Sequence, residues 1–243
     1  MILGTFTRAE LLKTFHKIAD VFEERAHGFC NYNQKAILKR LKGSGEYTKV
    51  FSCEIDGQRY YETFHFFSSK EGIDGKRLSI VTVFKDAKGT FVLAHNPNPS
   101  PVDDVYYKSS MELKLFSSHY IDRFFERTGK DVFGRSLEEK VMLILSENQP
   151  LSVATVDDSV IRRYGEPSLP YTFLREGKKE IECVYINDGD IAIVERYGLV
   201  PVWRTFIPKE MLFESQREYV DRDDIQEGIQ TAKDFSNKLN GIK

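Results

Sequence analysis

Cysteine and metal-ligand patterns are scarce in this sequence of 243 residues. The three cysteines, Cys30, Cys53 and Cys183, are far apart and odd in number. The sequence therefore predicts no disulfide framework, and we expect a reducing compartment. The five histidines are scattered, and the spacings CxxC and HExxH do not occur. We accordingly predict no metal site and no cofactor.

Long apolar runs and a strong net charge are also missing. No run approaches the roughly 20 apolar residues that cross a bilayer, and the first residues do not resemble a signal peptide. We therefore expect a soluble, cytoplasmic protein with no membrane partner. The formal net charge is −2, which gives no general attraction to nucleic acid, so an RNA partner requires a local basic patch.

Proline is absent from residues 1–96 and then occurs three times within 97–101. Alternating prolines favour the polyproline II conformation and exclude a helix. We interpret 97–105 as a Pro-rich linker or a long ordered crossover. It divides the chain into an N-terminal unit, residues 1–96, to which the sequence assigns no role, and a C-terminal unit, residues 106–243.

Apolar periodicity and turn residues predict similar contents for the two units. For the N-terminal unit they predict a helix at 7–26 that Gly28 ends, a second helix at 33–41, and strands at 47–55, 59–67, 77–84 and 90–94. The dipeptide Asp56-Gly57 predicts a tight hairpin turn between the first two strands. For the C-terminal unit they predict helices at 118–128 and 136–147, a loop at 148–169 and strands at 170–175, 181–186, 191–197 and 199–207. The predicted class is α+β, built from two helix-plus-antiparallel-sheet units.

The segment 117–129 places chemically useful side chains on one face of a helix. The predicted apolar arc consists of Tyr120, Ile121, Phe124 and Phe125. The opposite arc consists of His119, Asp122, Arg123, Glu126 and Arg127. The simplest interpretation is a solvated face with ion pairs between neighbouring turns.

The alternative interpretation is a site for phosphate chemistry. A serine N-cap would place His119 in the first turn, where the helix dipole disfavours the imidazolium form. A neutral histidine can act as a general base, and arginines can bind phosphate. These groups suit metal-free RNA cleavage, in which the base takes the 2′-hydroxyl proton and cations stabilise the charged phosphorane.

The same residues resemble a superfamily of metal-independent ribonucleases that includes RelE-type and colicin-type toxins and many phage proteins. The resemblance covers residues 117–212 and rests on the spacing His119-x3-Arg123-x3-Arg127, a second helix, and strands that end at Trp203–Ile207. It implies an endoribonuclease-like scaffold, toxin- or phage-derived, that cleaves RNA by 2′-hydroxyl attack. By motif position it implies that His119 is a base, Arg123 and Arg127 bind phosphate, and Thr205 contacts a phosphate or hydroxyl.

Two alternatives remain open. One is a catalytically inactive module of the same fold whose charged face binds a protein partner. The other is a ligand-binding protein with a pocket between the two units. A ribonuclease requires His119 and the arginines to line a concave, positive cleft with Thr205 within reach. On a regular strand Thr205 shares a face with Trp203, and Arg204 points the other way. Arg204 is therefore expected either on the outside of the sheet or at a bulge.

Overall fold

A computed structural model describes residues 2–44, 46–69, 72–86, 89–95, 113–147, 150–155, 169, 171–175, 179–186, 190–198 and 200–214, and positions 217, 221, 226, 227 and 230. The predicted linker 97–105 lies within 96–112, outside the described residues. The division of the chain into two units therefore stays a prediction.

Strands from both sides of residues 97–105 form one sheet. In chain order they are β1 (Glu46–Ile55), β2 (Gln58–Ser69), β3 (Gly72–Asp86), β4 (Gly89–His95), β5 (Leu113–Ser117), β6 (Pro150–Thr155), β7 (Lys179–Ile186), β8 (Asp190–Tyr197) and β9 (Val200–Ile207). Their order across the sheet is β1-β2-β3-β4-β5-β9-β8-β7-β6. Neighbouring strands are antiparallel except β5 and β9, which are parallel. Together with the helices, this mostly antiparallel sheet confirms the α+β class.

The helices are α1 (Arg8–Ser44), α2 (Ser118–Thr128) and α3 (Leu137–Glu147). The prediction that α1 stops at Gly28 is wrong, because the two predicted helices are joined across a kink at Asn33 (φ −117°, ψ 16°). The Asn33 Nδ2 group donates a hydrogen bond to the carbonyl oxygen of Phe29 at 2.9 Å. Gly28 inside the helix lowers the stability by about 1 kcal/mol relative to alanine. Burial of the apolar side of α1 offsets this loss.

The predicted hairpin between β1 and β2 is confirmed. Ile55 pairs with Gln58, and the two intervening residues, Asp56 and Gly57, have φ angles of 52° and 71°. Two positive φ angles are the signature of a tight type I′ turn, which the dipeptide Asp-Gly favours. Local sequence therefore sets both the position and the register of this hairpin.

Each face of the sheet carries its own hydrophobic core. On the α1 face, side chains of α1 such as Phe15 and Phe22 pack against Phe64, Leu115 and Val202 of the sheet. On the opposite face, called the α2/α3 face, side chains of α2 and α3 pack on β3, β4, β5, β8 and β9. The α1 core thus contains residues from before and after the predicted linker.

Two predictions for the C-terminal half are wrong. Within the predicted strand 170–175, the described residues 171–175 do not form a strand. Thr172–Leu174 is a 3₁₀ turn, and the rings of Tyr171 and Phe173 stack at 5.4 Å in the α1 core. The predicted loop 148–169 contains β6, which pairs with β7 at the sheet edge. A proline at the first residue of an edge strand costs no ladder hydrogen bond, so Pro150 is compatible with β6.

Candidate functional site

Ser117 determines where α2 begins and how it attaches to the sheet. Its Oγ atom accepts a hydrogen bond from the backbone N–H of Tyr120 at 3.1 Å, which is the N-cap geometry. The hydroxyl proton of Ser117 faces two carbonyl oxygens of β9, those of Trp203 at 3.0 Å and Arg204 at 3.2 Å. His119 therefore lies in the first turn of α2, beside β9.

The predicted amphipathic division of α2 is confirmed. The buried residues of the helix are Tyr120, Ile121, Phe124 and Phe125. They pack on the α2/α3 face, where the Tyr120 and Phe124 rings lie 5.5 Å from Trp203 and 5.0 Å from Phe206, respectively. This packing turns the polar arc of α2 outward.

His119 is exposed, and its ring makes no hydrogen bond or ion pair with any residue that the structure describes. Its pKa lies below the ordinary value because partial burial and the cations of Arg123 and Arg127 disfavour the imidazolium form. Asp122 opposes this shift, and Arg204 adds to it. At neutral pH the ring is therefore mostly uncharged and can accept a proton.

The two arginines of the motif have different surroundings. Arg123 donates from Nη1 to Glu126 Oε2 at 2.7 Å in a solvent-exposed pair, a type of interaction worth about 0–1 kcal/mol. Arg127 is half-buried and donates from Nη1 to the backbone carbonyl of Phe206. Arg123 can therefore exchange partners at low cost, whereas Arg127 anchors the end of α2 to β9.

A β-bulge at Arg204 overturns the predicted side-chain alternation of β9. Ile193 pairs with Thr205 and Val194 pairs with Trp203, which leaves Arg204 without a partner in the register. Val194 and Trp203 belong to the core on the α2/α3 face. Ile193 and Thr205 consequently lie on the α1 face, so the prediction that Thr205 shares the face of Trp203 is wrong. The register separates the Thr205 side chain from α2 and His119.

The bulge is one of the two places that the sequence analysis leaves open for Arg204, and the register confirms it. An effect of Arg204 on His119 was not predicted from the sequence. Among the groups that shift the pKa of His119, Arg204 has the smallest effect, and it lowers that pKa.

Arg204 also faces a buried carboxylate on the α1 face. Glu195 is almost fully buried, with Oε1 lying 3.5 Å from Arg204 Nε and 3.8 Å from Lys179 Nζ. The Tyr197 hydroxyl donates to Glu195 Oε2 at 3.1 Å and accepts from the backbone N–H of Leu169 at 3.2 Å. Burial raises the pKa of Tyr197 to about 12. These contacts hold the Arg204 side chain in place.

A groove with a volume of about 560 Å³ lies next to α2. Its walls consist of Asp122, Phe125 and Glu126 of α2, the loop residues Lys130 to Arg135, and Lys140 of α3. His119 lies one turn before Asp122 and is not among the lining residues. The groove therefore adjoins the polar arc of α2 without enclosing the histidine. The expected cleft, lined by His119, Arg123 and Arg127 with Thr205 within reach, is not formed by the described residues.

The fold and this helix face define an α+β protein with an exposed histidine surrounded by arginines. Within the described part of the chain, no three His, Cys, Asp or Glu side chains form a group that could hold a metal ion. None of the described helices has the length and apolar character needed to cross a membrane. Comparison with family models finds no match to this chain, and neither does comparison with curated proteins or with solved structures.

Proposed function

We propose that this protein is ribonuclease-like and cleaves RNA without a metal ion, with His119 as the general base. The observation that carries the proposal is the state of His119, which is exposed, unpartnered among the described residues and uncharged near pH 7. A base in this state can take the proton of a 2′-hydroxyl, whose oxygen then attacks the adjacent phosphorus. The bond from phosphorus to the 5′-oxygen breaks as that oxygen takes a proton from the histidine, now protonated, or from water, and a 2′,3′-cyclic phosphate remains.

The arginines supply the positive charge that this reaction needs at the phosphate. Arg123 is the proposed direct contact, because its pair with Glu126 is exposed and weak. Arg127 positions the helix through the Phe206 carbonyl. Thr205 is omitted from the proposed site, because its side chain lies on the α1 face.

The order of elements also supports the proposal. The helices α2 and α3 precede four strands, β6 to β9, that pair as successive antiparallel neighbours. This order agrees with the ribonuclease superfamily to which the sequence bears a resemblance. On the same resemblance we propose a toxin- or phage-derived protein, and on its cysteine usage a cytoplasmic one.

The test is RNA cleavage in the presence of a chelator. We expect the wild type to cleave single-stranded RNA and His119→Ala to be at least about 100-fold slower, the usual contribution of a general base. His27→Ala is the matched control, because His27 is exposed on α1 and pairs only weakly with Glu23 at 3.9 Å. Equal rates for wild type and His119→Ala would remove the assignment.

A second candidate is a catalytically inactive module whose charged α2 face binds a protein partner. It is favoured by the position of His119 and the arginines outside the groove, on an exposed helix surface. This candidate predicts no cleavage of any RNA by the wild type. It also predicts a salt-sensitive association that Arg123→Glu abolishes and that His119→Ala preserves. The third possibility, a pocket between the two units, involves residues 96–101, which lie outside the described residues.

A further inference from the structure

Phe133, in the connection between α2 and α3, is the most exposed aromatic residue that the structure describes. Its side chain is 96% exposed. Large aromatic side chains contribute strongly to stability when they are buried. A single exposed ring is common on protein surfaces, so its surroundings decide whether it has a role.

The backbone around Phe133 is held by two hydrogen bonds. Asp131 Oδ1 accepts from the N–H of Phe133 at 2.9 Å, and the carbonyl of Val132 accepts from the N–H of Arg135 at 3.1 Å. Gly134 has a φ of 74°, as the third residue of a type II turn requires. Phe133 occupies the second position of this turn and is presented by an ordered backbone. A ligand that stacks on the ring therefore loses little entropy in ordering the loop.

The groove beside Phe133 supplies cations. Lys130, Arg135 and Lys140 are among its lining residues. The side chains of Arg135 and Lys140 make no hydrogen bond or ion pair with other residues in the described ranges. Three carboxylates, those of Asp122, Glu126 and Asp131, also line the groove and balance the charge of its three cations. Asp131 accepts from the backbone N–H of Phe133, and Glu126 pairs with Arg123. Arg135 and Lys140 are thus the cations beside the exposed ring that a ligand can contact.

We propose that Phe133 is a base-stacking subsite for single-stranded RNA, with Arg135 and Lys140 as contacts for its phosphates. Ring stacking next to cationic side chains is how proteins bind single strands without reading their sequence. A protein partner would need a contiguous apolar patch around its aromatic anchor, whereas the exposed neighbours of Phe133 in the groove are mostly charged.

This inference rests on the proposed function and extends it, because the groove and the candidate site share one helix. Asp122 and Glu126 line the groove, and the same polar arc of α2 carries His119 and Arg123. A strand that stacks on Phe133 can therefore continue along α2 towards His119. The subsite would hold a nucleotide on one side of the cleaved bond.

The test uses a 2′-O-methyl RNA oligonucleotide, which the proposed reaction cannot cleave. The chain contains one tryptophan, Trp203, which is 6% exposed, so Phe133→Trp adds an exposed fluorescent reporter. We expect the oligonucleotide to quench this reporter and to leave Tyr32→Trp unquenched, since Tyr32 is 92% exposed but lies on α1. We expect Phe133→Ala to raise the Kd by about 5- to 100-fold and Tyr32→Ala to leave it unchanged.

The outcomes separate this inference from the proposed function. An unchanged Kd in Phe133→Ala, with cleavage by the wild type intact, overturns the subsite alone. A raised Kd without any cleavage supports the subsite and contradicts the ribonuclease proposal. Absence of RNA binding by the wild type overturns the subsite. A wild-type dimer that Phe133→Ala converts to a monomer, at unchanged RNA affinity, makes Phe133 a protein contact and also overturns it.

Discussion

The hydroxyl oxygen of Ser117 lies 3.0 Å from the carbonyl oxygen of Trp203, which links the start of α2 to the bulged strand β9. The same oxygen caps α2 by accepting from the backbone N–H of Tyr120. One side chain therefore holds the first turn, with His119 in it, against the strand that carries Arg204.

Replacement of Ser117 by alanine should remove both contacts. We expect the free energy of unfolding to fall by about 1–3 kcal/mol, from the lost cap and the lost hydrogen bond. The matched control is Ser118→Ala, because the Ser118 hydroxyl makes no hydrogen bond to any described residue; its effect should stay within about 0.5 kcal/mol. Urea denaturation measures both values. Equal destabilisation by the two variants would contradict the role given to Ser117.

Replacement of Arg123 by glutamine should raise the pKa of His119. Arg123 is the charged neighbour that lowers this pKa most, and its removal relieves the penalty on the imidazolium form. NMR titration of the His119 ring measures the shift, and Arg123→Lys, which keeps the charge, should change the pKa less. In the proposed reaction the acid limb of the pH–rate profile would move to higher pH in Arg123→Gln. An unchanged or lowered pKa would show that Arg123 does not act on the histidine.

A buried ion pair beneath α1 should be costly to break from one side. Glu62 is 0% exposed, and its Oε1 accepts from Arg77 Nε at 2.7 Å. Glu62→Leu alone should destabilise the fold by about 1–3 kcal/mol, because Arg77 loses its hydrogen bonds to Glu62 but keeps those to the Ala19 carbonyl and to Glu23. Glu62→Leu combined with Arg77→Met should recover much of that loss in a double-mutant cycle. If the loss of stability in the double variant equals the sum of the losses in Glu62→Leu and Arg77→Met, the two residues do not act as a pair.

His95 should make the stability depend on pH. The ring is 1% exposed, its Nδ1 has no hydrogen-bond partner in the described structure, and burial lowers its pKa to about 4. Below the ordinary pKa of 6.5 the unfolded chain binds a proton that the folded chain does not. Its contribution to stability is therefore lost as the pH falls from about 6.5 to about 4, by up to about 3 kcal/mol.

Protonation of Glu62 changes the stability in the opposite direction over an overlapping pH range. Burial raises its pKa to about 7, against the opposing effect of Arg77, so the folded chain binds the extra proton between about 4.5 and 7. This contribution to stability grows as the pH falls. The pH dependence of the wild-type stability therefore contains both effects and does not isolate that of His95. We therefore compare wild type with His95→Phe, whose ring can keep the stacking of His95 on Phe15. The variant should gain stability relative to wild type on acidification; a constant difference would contradict this account.

Local patterns were sufficient for the elements that depend on local contacts. The periodicity of 118–128 predicts α2 and its buried arc, and Asp56-Gly57 predicts the first hairpin. The features that were missed depend on distant partners. The five-residue strand β5 is too short to show an apolar pattern, and its pairing with β4 and β9 holds it in the sheet. The apolar spacing of Tyr171 and Phe173 predicted a strand, but these side chains are buried by packing in the α1 core and not as part of a β-ladder.

In the candidate site, too, the part that depends on local spacing could be predicted and the part that depends on distant pairing could not. The exposed arc of His119, Arg123 and Arg127 follows from helical spacing alone. The place of Thr205 could not be predicted, since one unpaired residue at Arg204 reverses the alternation for the end of β9. The effect of Arg204 on the pKa of His119 was not predicted for the same reason.

The most direct test of the central claim is the identity of the cleaved RNA end. In chelator, the wild type should leave a 2′,3′-cyclic phosphate on an RNA substrate. It should not cut the same oligonucleotide when the scissile nucleotide carries a 2′-deoxy sugar, and His119→Ala should form the cyclic product at least about 100-fold more slowly. Cleavage at the 2′-deoxy position, or a cyclic product formed equally fast by His119→Ala, would contradict the assignment of His119 as the base.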